Sequence, residues 1–173
     1  ITAAQDAKLQ TLKALLRRPR LRTGKVLVFT QYADTAQYLY DNLAGQPPAG
    51  VRTFGSPEPA GGSREFEVIY SREKSKAEVV GRFAPRANPE HRPPEGVDEI
   101  DVLIATDVLS EGLNLQDCAQ VVNYDLHWNP VRLIQRFGRV DRIGSQHDEI
   151  YAYNFLPEGE LEQNLGLRER LSR

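Results

Sequence analysis

A chain of 173 residues with 24 acidic and 22 basic side chains can bury one substantial core. Its formal net charge of −2 excludes wholesale electrostatic binding to a polyanion, and its single cysteine, Cys118, excludes an internal disulfide or a cysteine-built zinc site. No apolar run nears membrane-spanning length and no leader-like segment opens the sequence, so an intracellular, cytoplasmic protein without membrane attachment is expected.

The start at Ile1 and the lack of methionine point to a piece of a longer protein, with activity divided between this piece and the rest. Leu9, Leu12 and Leu16 fall on one stripe and predict a helix over 3–18, ended by Pro19. The run 25–30 (KVLVFT) suits a strand buried on both faces, and 32–44 places Ala36, Leu39, Tyr40 and Leu43 at helical spacing. This strand–helix unit predicts a parallel sheet. Residues 45–67 are rich in Gly and Pro; one short strand is placed at 51–54, with 66–70 as its competitor. Ser71 is taken as the N-cap of a helix over 72–84, and 85–98 reads as a mobile surface insertion.

Residues 101–105 (DVLIA) and 119–124 (AQVVNY) read as further buried parallel strands, joined by a polar loop over 106–117. Asn129 followed by Pro130 is a helix start: a capping side chain, then a proline whose missing N–H costs nothing. The helix over 130–138 is expected to turn Leu133, Ile134 and Phe137 inward and to expose Arg132, Gln135, Arg136 and Arg139 together. A strand at 149–155 and a closing helix at 160–172 complete the expectation.

Ligands of an open parallel sheet bind at the carboxyl ends of its strands. Thr30 and Gln31, the 106–117 loop and the 125–129 turn should share that edge, with Arg139 and Arg142 available to a phosphoryl-transfer transition state. Turn-capping is an equally good account of Thr106 and Asn114 from spacing alone. A phosphate-cradling G-x-x-x-x-G-K-[ST] is absent, and 98–101 (DEID) imitates an acidic metal box but precedes its strand rather than following one. No metal site is assigned.

The stretches ATDVLSEGLNLQ (105–116), NYDLHWNP (123–130) and QRFGRVDRIGS (135–145), with KVLVFTQYADTAQYL (25–39), resemble the C-terminal RecA-like lobe of superfamily 2 helicases, on the Swi/Snf-type DNA translocase side that includes the bacterial ATPase recycling RNA polymerase. The resemblance implies an α/β three-layer sandwich with a mainly parallel sheet, a single domain over 1–173 with its core at 25–156, and insertions at 45–67 and 85–98. It implies that Arg139 and Arg142 act as arginine fingers on ATP, with Gln135, Glu111, Gly112 and Asn114 contacting nucleotide. Thr106, Thr30 and Gln31 would face the nucleic-acid backbone, here double-stranded DNA, in a bacterial nucleoid. ATP with Mg²⁺ would be held mainly by an N-terminal RecA-like lobe of the same protein. Two departures stand out: Asn114 replaces the Asp of DEAD-box RNA helicases, and Ser145 replaces the glutamine usual after Ile-Gly in the Swi/Snf branch. The alternative is a degenerate, non-hydrolysing lobe that binds nucleic acid or protein. A nucleotide-sugar transferase, which also uses arginine on diphosphate, is the reading from another class.

Overall fold

The computed structural model describes residues 3–44, 51–52, 64–70, 75–110, 114–126, 129–141 and 145–156. The first helix, α1 (Ala7–Leu16), starts where the Asp6 carboxylate accepts the Leu9 N–H at 3.0 Å, and it buries Leu9, Leu12, Leu15 and Leu16. The helix is shorter than the expected 3–18, with Arg17 as its C-cap, and Pro19 begins α2 (Pro19–Thr23) from its first position, where no donor is needed. Strand β1 (Val26–Phe29) is wholly buried, and α3 (Ala33–Ala44) packs Ala36, Leu39 and Leu43 inward.

Next come β2 (Val51–Arg52) and β3 (Arg64–Ile69). One strand is expected here, at 51–54 with 66–70 as its competitor; both are strands, β2 as two residues at the sheet's margin and β3 as the longer one, paired with β4. Helix α4 (Lys76–Phe83) begins at Ser75, whose hydroxyl accepts the Glu78 N–H at 3.3 Å, and not at Ser71, which lies outside the described residues. Strand β4 (Val102–Ala105), strand β5 (Gln120–Asn123), helix α5 (Pro130–Val140) and strand β6 (Tyr151–Asn154) follow. The expected helix at 160–172 falls outside the described residues.

The six strands run in the order β2-β3-β4-β1-β5-β6, every neighbouring pair parallel. Val28 lies opposite Ile104 on one side and Val122 on the other, so β1 is the central strand. Alternation along β1 feeds two apolar layers. Val26 and Val28 join Leu9, Leu12, Leu39 and Leu43, whereas Leu27 and Phe29 join Val80, Phe83, Leu115 and Val140. Helices therefore cover both faces, and the three-layer parallel architecture is present. Among the described residues no helix is long and apolar enough to cross a membrane.

The first residues of 85–98, Pro85 to Asn88, are more firmly packed than the composition of the stretch suggests, while 89–98 lie mostly at the surface. A short 3-10 turn (Pro89–His91) lies against α4 at Gly81, where an added Cβ would fall on the His91 carbonyl, within 2.6 Å of its carbon. Alanine favours helix over glycine by about 1 kcal/mol. Even so, Gly81→Ala is expected to destabilise by about 1–3 kcal/mol, because the obstructing atoms are backbone. Urea denaturation would detect this; an unchanged or raised midpoint would show that the turn moves away at no cost.

Candidate functional site

At the carboxyl ends of β1, β4 and β5 the chain leaves the sheet through three short connections. The Thr30 N–H donates to the Ala105 carbonyl at 3.0 Å and the Tyr124 N–H to the Phe29 carbonyl at 2.8 Å, which ties the three ends together. Thr30 is fully buried and its hydroxyl donates to the Asp125 carboxylate. Asp125 is also paired with Lys8 at 2.7 Å, and Lys8 lies over the Tyr124 ring, 4.1 Å from its centroid. Gln31 donates its amide to the Leu126 carbonyl at 3.2 Å. Thr30 and Gln31 thus fasten the turn after β5, and the buried Thr30 hydroxyl is not presented at the surface.

Thr106 is also buried; its N–H donates to the Ile69 carbonyl and its own carbonyl accepts the Leu109 N–H, both at 3.2 Å. A 3-10 turn over Asp107–Ser110 follows. In the return toward β5, the Asn114 carboxamide closes a local turn: its oxygen accepts the Gln116 N–H at 3.2 Å and its Nδ2 donates to Gln116 Oε1 at 3.0 Å. Glu111, Gly112 and Arg142 lie outside the described residues.

Helix α5 begins as expected, with Asn129 Oδ1 accepting the Val131 N–H at 3.0 Å and Pro130 in the first turn. Its inward face differs from the expectation. Leu133 and Val140 are buried, but Ile134 is 69% exposed, and Arg136, read as a surface cation, is 0% exposed. Arg136 donates from Nε to Asp107 Oδ1 at 2.7 Å and from Nη1 to Asn123 Oδ1 at 3.1 Å, with its guanidinium 4.8 Å from the Phe29 ring centroid. Its Nη2 is buried without a hydrogen-bond partner. Arg132 lies at the margin of the same carboxylate, 3.8 Å from Asp107 Oδ2.

This polar cluster was missed in the sequence. The available signal was Asn123, an amide that closes the strand after Val121 and Val122, since a buried amide demands partners. Asn123 also donates its Nδ2 to Asn154 Oδ1 at 2.8 Å.

Gln135 is exposed and Arg139 half-exposed. The Arg139 carbonyl accepts the Leu115 N–H at 3.0 Å, which stitches the last turn of α5 to the loop after β4. Among the described residues, no acceptor engages the Arg139 guanidinium. A delocalised cation with planar donors thus stands on the last turn of α5 beside the 114–117 turn, which reaches Gly24, Lys25 and Glu99 at the amino ends of β1 and β4 rather than the carboxyl edge that holds Thr30 and Thr106. The acidic stretch before β4 is engaged elsewhere: Glu99 pairs with Lys25 at 2.8 Å, and the Asp101 carboxylate accepts the Glu65 N–H at 2.9 Å. Cys118 is enclosed too, and burial pushes its thiol up to about 12, so it offers no nucleophile.

Residues 70–144 match the helicase conserved C-terminal domain. The uncharacterized ATP-dependent helicase YqhH of Bacillus subtilis (strain 168) is 46% identical over 67 residues, which is 39% of this chain and 12% of that protein. The RNA polymerase-associated protein RapA of Erwinia tasmaniensis is 49% identical over 51 residues, 30% of this chain and 5% of RapA. The ATP-dependent RNA helicase rok1 of Neurospora crassa is 31% identical over 154 residues, 84% of this chain and 17% of rok1. This chain therefore spans less than a fifth of each of these relatives. Among solved structures, the C-terminal part of the Fun30 ATPase domain superposes with a TM-score of 0.62 at 17% identity, over 98% of this chain and 46% of that one. The Pyrococcus furiosus Hef helicase domain superposes with a TM-score of 0.61 at 22% identity, over 94% of this chain and 28% of that one. At these identities the likeness establishes the fold alone, a parallel sheet covered by helices on both faces.

Proposed function

This chain carries a helicase conserved C-terminal domain, and from that premise we propose that it serves as the second motor lobe of an ATP-dependent translocase on double-stranded DNA. The observation that carries the reading is Arg139, a half-exposed cation with no acceptor among the described residues, on a helix end fixed to the loop after β4. ATP with Mg²⁺ would lie between this lobe and an N-terminal lobe that supplies the phosphate cradle and the metal carboxylate. Closure would bring Arg139 and Arg142 to the γ-phosphate, where they stabilise charge that develops as the phosphoryl group leaves. Gln135, Glu111, Gly112 and Asn114 are assigned to the nucleotide side. Gln31 is assigned to the nucleic-acid backbone, whereas the buried Thr30 and Thr106 act through the connections they hold, Thr30 by its bond to Asp125 and Thr106 at the start of the loop after β4. The protein would work where its DNA lies, inside the cell.

One consideration favours DNA over RNA: Asn114 stands in place of the DEAD-box Asp. The likeness to rok1 along most of the chain keeps an RNA motor as the second reading. ATP turnover by the full-length protein should rise with double-stranded DNA, and the protein should displace a triplex-forming strand from such DNA. Stimulation by RNA alone would transfer the reading to RNA. No stimulation by any nucleic acid would favour the non-hydrolysing scaffold lobe.

A further inference from the structure

The Pro-rich stretch 85–98 has no part in the motor chemistry, yet its base is bonded to the turn beside Arg139. Asn88 is buried, and its Nδ2 donates twice, to the Ala84 carbonyl at 2.9 Å and to the Asn114 carbonyl at 2.7 Å. Two residues earlier, the Arg86 main-chain N–H donates to the Asp117 carboxylate at 2.8 Å. Between them Ala87 packs into the apolar layer of α4. The 114–117 turn is therefore anchored near both of its ends by residues 86–88. Between those anchors, Leu115 donates its N–H to the Arg139 carbonyl at 3.0 Å.

The Asn114 carboxamide sets the turn's shape but not its place, because both of its polar atoms are spent on Gln116. Placement comes from the bonds that arrive from 86–88 and from the apolar seat of Leu115 and Cys118. We propose that Asn88 is a positioning residue for Arg139: it holds the 114–117 turn, and that turn fixes where the last turn of α5 points the arginine. The proposal rests on the reading of Arg139 as the phosphate-facing cation.

Asn88→Asp keeps the shape but has no proton to donate when ionised, and it sets a carboxylate against two carbonyl oxygens. Asn88→Ala removes the donor without adding charge. A reacting group displaced by about 1 Å loses rate far more than it loses binding. In the full-length protein Asn88→Asp should therefore lower kcat about tenfold while KM for ATP stays within about twofold. Asn88→Ala should fall in the same direction by less. Hydrogen exchange at the Leu115 amide should quicken in both variants, while the Thr30 amide, bonded to Ala105 across the sheet, keeps its protection.

Wild-type kcat in both variants, or unchanged exchange at Leu115, would overturn the proposal. So would loosening of Leu115 and Thr30 together, which marks a general loss of stability. If Asn88→Asp fails to fold, Asn88→Ala decides alone. Arg139→Ala is measured alongside. Wild-type turnover in that variant would sink the arginine-finger reading, and exchange at Leu115 would still show whether Asn88 holds the turn.

Discussion

Arg139→Ala in the full-length protein should lower kcat for ATP on the order of 10³–10⁵-fold, the range lost with an arginine finger. That corresponds to roughly 4–7 kcal/mol of transition-state stabilisation. ATP affinity should change far less, because the charge the arginine meets develops in the transition state. The same substitution should leave folding almost untouched. The side chain is half-exposed, and the bond that fixes this end of α5 is made by the Arg139 main-chain carbonyl, which alanine retains. A cation in the last turn of a helix contributes only about 0.3–1 kcal/mol through the helix dipole. Arg139→Lys keeps the charge without the planar fork and should recover only part of the rate. Near-normal steady-state turnover in Arg139→Ala would remove the finger assignment.

The elements legible in the sequence were those whose signal is local. Strands β1 and β4 are unbroken apolar runs because both of their faces are covered, β5 shows the same cover in Val121 and Val122, and the start of α5 is written in Asn129-Pro130. Strand β3 was obscured because it opens with Arg64, Glu65 and Glu67, which read as loop. Each of these charges has a distant partner. Arg64 donates to the Leu21 and Gly24 carbonyls, and Arg82 pairs with Glu65 at 3.4 Å and Glu67 at 3.6 Å. Burial raises the Glu65 carboxyl's pKa, and the Arg82 charge opposes that rise.

The start of α4 was legible and overlooked. Ser75 and Glu78 stand three apart, the spacing of a capping box, and the Ser75 hydroxyl takes the Glu78 N–H. The inward face of α5 could not be read from spacing. Ile134 is apolar and Arg136 charged, so counting favours the first as core. Asp107 and Asn123, brought from two other elements, reverse the order. In the candidate site the exposed Gln135 and the partly buried Arg139 followed from helical spacing. The burial of Thr30 depended on a hydrogen bond to Asp125, 95 residues away, and no local pattern could reveal it.

Arg136→Ala should act on the opposite quantity, stability. It removes a fully buried guanidinium and leaves Asp107 and Asn123 without the donors at 2.7 and 3.1 Å and the Phe29 ring without its covering cation. Removing one partner of a buried pair costs about 3–5 kcal/mol, and the lower end is expected because Asp107 keeps Arg132 at 3.8 Å and is itself 20% exposed. At roughly 2–4 °C per kcal/mol for a domain of this size, Tm should fall by about 10 °C. Arg132→Ala is the control: its side chain is 47% exposed and 3.8 Å from the same carboxylate, so its loss should stay within about 1 kcal/mol. The unsatisfied Nη2 shows that the pair is not optimised for stability. Arg136→Met combined with Asp107→Asn should therefore recover much of what Arg136→Ala loses, since no buried charge remains. A loss below about 1 kcal/mol for Arg136→Ala would mean that water replaces the guanidinium freely. The cluster would then fail as the brace joining α5 to the turn after β4, and the direction of Arg139 would rest on the Leu115 bond alone.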